Sequence, residues 1–267
     1  MLLNMLGCGD AYDSDRTNAS LLVTEDDFTL LIDCGPTVPR AIFSMADKCS
    51  STDENHSNAD NSHRIDEHRI DAIYLTHAHP DHCLGLTTLV NWMNARGRNN
   101  PLTIIGQQSQ WDIFSQLIHF AHWPEERLSF DIHFIDVLTI AHIGPWSVKT
   151  APTFHSVSNR SLYIENSHCG LFYSGDGKLG DEGEKLAIAA DVAFIECESV
   201  FSHESHGSWE DVRHLPFTIR NHCFLYHVDP NSRAELNTLC QQHPQVALAQ
   251  DGLTLSLNEL KENIDVA

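Results

Sequence analysis

The stretch His77-Ala78-His79-Pro80-Asp81-His82 sets three imidazoles and a carboxylate in the order His-x-His-x-Asp-His. An apolar run, Ile73-Tyr74-Leu75, leads into it, and Leu84-Gly85-Leu86 follows. That setting reads as a strand, a ligand-rich loop and a helix, so the chain must build a sheet whose strand end opens on a crevice. Polar groups this close pack badly unless something positive lies among them, and a metal ion meets that need. Imidazole suits zinc and iron, and the added carboxylate brings manganese into range. The competing reading is a histidine-rich polar loop, to which 18 histidines in 267 residues lend weight. The ordered spacing and the strand-then-helix setting favour ligation.

Other candidate ligands stand at breaks between patterned segments. His155 follows Val148-Lys149-Thr150-Ala151-Pro152-Thr153-Phe154, Asp176 closes Leu171-Phe172-Tyr173-Ser174-Gly175, and His227 ends Phe224-Leu225-Tyr226. His206 sits in Ser205-His206-Gly207-Ser208. Taken singly, each has a plain explanation. A histidine at a strand end is usually a satisfied polar residue, Asp176 alone reads as a turn aspartate, and His206 as a surface neighbour of His203.

Together with the opening run, this order resembles the metallo-β-lactamase superfamily from about Leu3 to Leu255. The resemblance implies an α/β fold, a four-layer αββα sandwich with the metal site on one edge. Carried over by position, His77, His79 and His155 would hold one divalent cation, and Asp81, His82 and His227 a second, with Asp176 bridging them. Zinc is the first expectation for both cations, with manganese and iron as alternatives. Two such cations hold a bridging hydroxide as nucleophile and neutralise charge on the attacked group. Asp81 and His206 are the catalytic candidates. Asp33, in Leu31-Ile32-Asp33-Cys34-Gly35, matches an acidic position that supports a ligand histidine, and Glu196 is a second candidate for such support. The alternative for Asp33 is an ordinary turn aspartate before Gly35-Pro36.

Within the superfamily three features resemble the phosphodiesterase branch that includes the tRNA 3′-processing ribonuclease Z. They are Leu6-Gly7-Cys8-Gly9-Asp10-Ala11 with Arg16-Thr17-Asn18-Ala19-Ser20, the Asp33-Cys34-Gly35 strand end, and the His206 loop ahead of His227. In that branch the corresponding histidine stabilises the phosphorane or protonates the leaving oxygen, work suited to a side chain that titrates near neutrality. The tRNA-processing enzymes also carry a basic arm between the positions of His155 and Asp176. That interval is short here and has no basic cluster.

Charge points the same way. Lys and Arg number 16 against 37 Asp and Glu, a net charge of −21. A chain that grips a nucleic-acid backbone needs a basic stripe to neutralise phosphates, and none is visible. The expected substrate is therefore a small phosphodiester, such as a cyclic nucleotide or cyclic ribose phosphate, and not a large nucleic acid. A thioester or lactone hydrolase of the glyoxalase II type is the first alternative, although little chain follows His227 to hold glutathione. The tRNA 3′-processing endonuclease and a metal-bound sensor or binding protein are the others.

The remaining features set the frame. The whole chain, 1–267, reads as a single domain with a polar surface insertion at about 47–69. Expected helices include Pro36–Ala46, Leu84–Arg96, Glu182–Ala190 and Trp209–Arg220. The stripe Trp111, Phe114, Leu117, Ile118, Ala121 marks another, by its i, i+3, i+4 spacing. The eight cysteines include no Cys-x-x-Cys pair and read as buried, reduced residues of a cytoplasmic protein. No apolar stretch is long enough to span a bilayer, and no signal peptide is apparent. A homodimer is plausible on base rates alone.

Overall fold

A computed structural model describes residues 1–50, 68–216, 222–258 and 260. The chain begins with an antiparallel meander, β1 (Leu2–Gly7), β2 (Ser20–Glu25) and β3 (Phe28–Ile32), followed by α1 (Val38–Ser50). Parallel strand–helix units come next: β4 (Ala72–Tyr74), α2 (Pro80–Cys83), α3 (Leu86–Ala95), β5 (Leu102–Gly106), α4 (Trp111–His122) and β6 (Ile132–Asp136). The second half repeats the plan. Its antiparallel part is β7 (His142–Ile143), β8 (Trp146–Phe154), β9 (Arg160–Glu165), β10 (Gly170–Tyr173) and β11 (Lys178–Leu179). Then follow α5 (Asp181–Ala189), β12 (Val192–Glu196), α6 (Trp209–Val212), β13 (His222–Tyr226), α7 (Arg233–Cys240), β14 (Val246–Leu248) and β15 (Thr254–Ser256).

Two sheets result. The first runs β15-β1-β2-β3-β4-β5-β6, and the second β11-β8-β9-β10-β12-β13-β14 with β7 beside β8. Each passes from antiparallel to parallel pairing, at β3–β4 in the first and β10–β12 in the second. Side chains alternate across each strand. In β3, Leu30 and Ile32 enter the layer between the sheets, while Leu31 faces the helices with Val38, Ile42, Leu89 and Phe114. In β12, Val192 and Phe194 face inward, while Ala193 and Ile195 meet Ala187, Trp209 and Leu236. Three apolar layers thus separate four layers of structure, the expected αββα sandwich. Leu89 is fully buried in one of them, so truncating it to Ala removes about 2–5 kcal/mol.

Several boundaries differ from expectation, for local reasons. The helix expected from Leu84 starts earlier, at Pro80, and is interrupted at Leu84-Gly85. There the Gly85 amide leaves the helix and donates to the Cys34 carbonyl at 2.8 Å, while the Cys34 amide donates to the His82 carbonyl at 2.7 Å. A Cβ on Gly85 would lie 2.1 Å from the Gly35 carbonyl oxygen, so the approach needs glycine. The ligand-bearing turn is thereby fastened to the end of β3. Helix α1 continues to Ser50, into the stretch expected to be an insertion, and residues 51–67 of that stretch lie outside those described. The helix expected over Trp209–Arg220 ends at Val212, and residues 217–220 of that stretch lie outside those described. Among the described residues seven cysteines are buried. Among the described residues no helix is long and apolar enough to cross a membrane.

Candidate metal centre

Every candidate ligand leaves the same edge of the sandwich. From the first sheet, β4 continues through Leu75 and Thr76 into His77 and His79. The extended backbone of His79 precedes Pro80 at the start of α2, whose single turn carries Asp81 and His82. From the second sheet, β8 delivers His155, β10 delivers Asp176 through a tight turn, and β13 delivers His227. Asp33 at the end of β3 and His227 at the end of β13 both adopt the left-handed region, with φ of 58° and 55°. Non-glycine residues held there cost of order 1–3 kcal/mol and gather at functional sites.

Two clusters meet at Asp176. In the first, His79 Nδ1 lies 3.0 Å from both His77 Nε2 and His155 Nε2. Asp176 Oδ2 stands 3.8 Å from His77 Nε2 and 4.0 Å from His155 Nε2. In the second, Asp81 Oδ2 lies 3.3 Å from His82 Nε2 and 3.1 Å from His227 Nε2. Asp176 Oδ1 is 3.2 Å from His82 Nε2, and its Oδ2 is 3.5 Å from His227 Nε2.

The donor set fits a cation in each cluster. One imidazole proton on His79 Nδ1 cannot serve two neighbours at once, whereas nitrogens about 3.3 Å apart are what tetrahedral zinc–imidazole bonds require. His82 Nε2 and Asp176 Oδ1 are buried and 3.2 Å apart, yet neither makes a well-aligned hydrogen bond. A buried polar atom left unpaired costs about 1–3 kcal/mol, which a bound cation would offset. A third group, Asp176, Glu196, His206 and His227, shares two of these residues.

Neighbouring groups fix ring orientation. Asp33 is fully buried, and its Oδ2 lies 2.8 Å from His82 Nδ1, leaving Nε2 directed at the cluster. Asp33 also accepts from the Thr76 amide at 2.9 Å and from the Thr76 hydroxyl, which lies 3.0 Å from His77 Nδ1. His155 Nδ1 donates to the Ser205 carbonyl at 2.6 Å, which frees its Nε2. Such outer contacts set the tautomer of a ligand histidine. Glu196, the second candidate for such support, lies between His206 and the candidate ligand His227. Its Oε1 lies 2.5 Å from His206 Nδ1 and 3.8 Å from His227 Nδ1, and its Oε2 accepts from the Gly177 and Gly207 amides. His206 faces the first cluster, its ring 5.0 Å from that of His155.

The electrostatics suit cation binding. Burial lowers the pKa values of His77, His79 and His155, so these imidazoles are neutral donors. Burial works against ionisation of Asp81 and Asp176, but hydrogen bonds from His227 and His82 at Asp81, and chiefly the charges of the same two histidines at Asp176, outweigh it and hold both carboxyls below the usual range. Burial also lowers His82 and His227, yet Asp176 and the other carboxylates dominate, raising His82 well above its ordinary value and His227 to about 9. Burial likewise opposes the charge on His206, and the Glu196 hydrogen bond and charge raise its pKa nonetheless.

Thr76, Asn159 and the Ser205 carbonyl were not among the residues expected from sequence. Asn159 is 1% exposed, accepts from the Asp176 amide at 3.2 Å and donates to the Ser174 carbonyl at 3.0 Å. Thr76 adjoins the histidine run and had a positional signal. Asn159, in an ordinary polar turn, had none.

Comparison with known proteins agrees with this architecture. The model of the family described as "Anti-Pycsar protein Apyc1" matches residues 1–252. The anti-Pycsar protein Apyc1 of Paenibacillus harenae is 26% identical over 236 residues, covering 85% of this chain and 89% of that protein. The ribonuclease Z of Methanothermobacter thermautotrophicus is 26% identical over 168 residues, covering 62% of this chain and 48% of that protein. Among solved structures, the metallo-beta-lactamase fold protein YhfI of Bacillus subtilis superposes with a TM-score of 0.73 at 18% identity, covering 95% of this chain and 98% of that one.

Proposed function

The chain belongs to the family described as anti-Pycsar protein Apyc1 and is a hydrolase of the metallo-β-lactamase fold, and from that premise we propose that it cleaves a small cyclic phosphodiester, such as a cyclic nucleotide. An anti-Pycsar role, which the relatives' name states of them, is part of the proposal. His77, His79 and His155 would hold one divalent cation, Asp81, His82 and His227 a second, and Asp176 both. Zinc is the first candidate for each. When bound, such a pair of cations supplies a water of lowered pKa as nucleophile and neutralises charge growing on the phosphoryl group.

The observation that carries the phosphodiester reading is the His206–Glu196 pair at the edge of the ligand cluster. Glu196 accepts from His206 Nδ1, which leaves Nε2–H available to a leaving oxygen. An alkoxide departs poorly without a proton. A thiolate, with a pKa near about 8.5, departs readily without one. A thioesterase would have little use for a buried glutamate that raises the pKa of a histidine beside the site. Asp33 and Thr76 orient the histidines of the first sheet, and Ser205 orients His155.

Charge and shape support a small substrate. The net charge is −21, and the interval between His155 and Asp176 is taken up by β9, β10 and their turns. Metal-loaded protein assayed against a cyclic nucleotide, a chromogenic diester and an acyl thioester tests the reading. Diester turnover that falls on His206→Ala is expected. Protein that binds two cations and turns over only the thioester would sink it.

A further inference from the structure

The candidate ligands come from two sheets, so something must hold one sheet's loops against the other's. The bonds that cross between them near His155 converge on one hairpin turn, residues 155–160, between β8 and β9. Gln107 and Gln110, just past the end of β5, each donate a side-chain amide to the Ser158 carbonyl, at 2.7 and 2.6 Å. The Ser158 hydroxyl donates back to Gln107 Oε1 at 2.6 Å. Beside them the Arg160 amide donates to the Thr76 carbonyl at 3.1 Å, and the Tyr74 hydroxyl to the Arg160 carbonyl at 3.0 Å. The turn therefore starts at His155, is gripped at Ser158 from the first sheet, and reaches the Asp176 turn through Asn159.

Both glutamines are buried, with 7% and 6% of their surface exposed. Gln110 Oε1 has no hydrogen-bond partner. A residue that only filled space here would avoid that cost, about 1–3 kcal/mol for a buried unpaired acceptor. The Ser158 carbonyl can only accept, so each amide must present its nitrogen to it, which fixes the orientation of both side chains.

We propose that Gln107 and Gln110 are positioning residues that set His155 against His77 and His79, and so tune the first cation site without touching it. The proposal rests on the ligand reading above. Mutating the outer partners that orient a ligand typically costs about 10–100-fold in metal affinity or activity, which sets the upper scale for residues that act through the ligand's turn. Because the grip acts directly on the His155 turn and reaches Asp176 only through Asn159, its loss should fall more heavily on that site than on the one formed by Asp81, His82 and His227.

The test is zinc titration of metal-free protein against a chromophoric chelator, resolving the two sites, for wild type and for Gln107→Ala/Gln110→Ala. A control is Asn91→Ala, which removes a 2.7 Å bond from α3 to the Ala121 carbonyl of α4, away from the site. Circular dichroism and thermal melting establish that each variant is folded. The expected result is a loss of up to about 10–100-fold in affinity at one site of the double variant, with the other changed much less. Ser158→Ala, which keeps the carbonyl, should show a smaller loss, and Asn91→Ala a lower melting temperature with both affinities intact. A double variant with two wild-type affinities, with both affinities reduced alike, or with no fold while Ser158→Ala binds as wild type, would overturn the proposal. A wild-type chain that takes up fewer than two zinc ions would overturn the ligand reading itself, and is seen in a separate arm.

Discussion

The two halves of the candidate centre are built in opposite ways. The first sheet supplies His77, His79, Asp81 and His82 from one short run, braced from below by Asp33 and Thr76. The second supplies His155, Asp176 and His227 from three strand ends, braced by Ser205, Asn159 and the hairpin turn. The contiguous half has its spacing set largely by local backbone geometry. The dispersed half exists only once β8, β10, β12 and β13 have paired, so its precision depends on tertiary contacts. The proposed acid–base pair, His206 with Glu196, belongs to that dispersed side.

The change that should break both halves at once is Asp176→Ala, because Asp176 alone among the candidate ligands faces both clusters. Diester turnover is expected to fall about 10³-fold, on the scale of losing a preorganised electrostatic group, with zinc lost from both sites on dialysis. His206→Ala should come next, lowering kcat by about 10²–10³-fold while leaving zinc content unchanged. Its pH profile gives a second readout. Glu196 raises the His206 pKa, so the proton needed by the leaving group is present below that value and is lost as pH rises through it. The alkaline limb of kcat should therefore lie above the ordinary imidazole value of about 6.5 and disappear in His206→Ala. Glu196→Gln should move that limb to lower pH.

Asp33→Asn acts on the other half and sharpens the contrast. Asp33 holds His82 directly and His77 through Thr76, so metal affinity should fall by about 10–100-fold in a chelator competition. Glu196→Gln should instead leave metal affinity nearly unchanged and lower kcat. The smallest effect is expected far from either half. The pair Lys149–Glu165 joins β8 to β9 with the lysine 59% exposed, so Lys149→Ala should change stability by less than about 1 kcal/mol and turnover not at all.

This contrast also explains how much could be read before folding. The run His77–His82 needs only a strand before it and a helix turn after it, both of which local patterning shows, so the ligand-rich loop was legible. The sandwich was legible through the resemblance that the ordered ligands carry. His155, Asp176 and His227 carried weight only as a set, because each alone is an ordinary strand-end residue. Glu196 was legible as a candidate but not in its place, since only the loop after β12 brings His206 onto it. Gln107, Gln110 and Asn159 left no trace in periodicity or motif. Their partners are backbone carbonyls and amides distant in the chain, which no side-chain pattern encodes. Helix ends were misplaced where a backbone group left the helix for another element, as the Gly85 amide does for the Cys34 carbonyl.

The most direct test of the dinuclear phosphodiesterase reading joins two quantities in one preparation. Metal-free protein is reconstituted with zinc, its zinc counted by mass spectrometry, and the same sample assayed against a cyclic nucleotide and an acyl thioester. Two zinc ions per chain with ring opening of the cyclic nucleotide, abolished in Asp176→Ala and strongly reduced in His206→Ala, is the predicted result. A single zinc per chain, or turnover of the thioester with no action on the cyclic nucleotide, would contradict it.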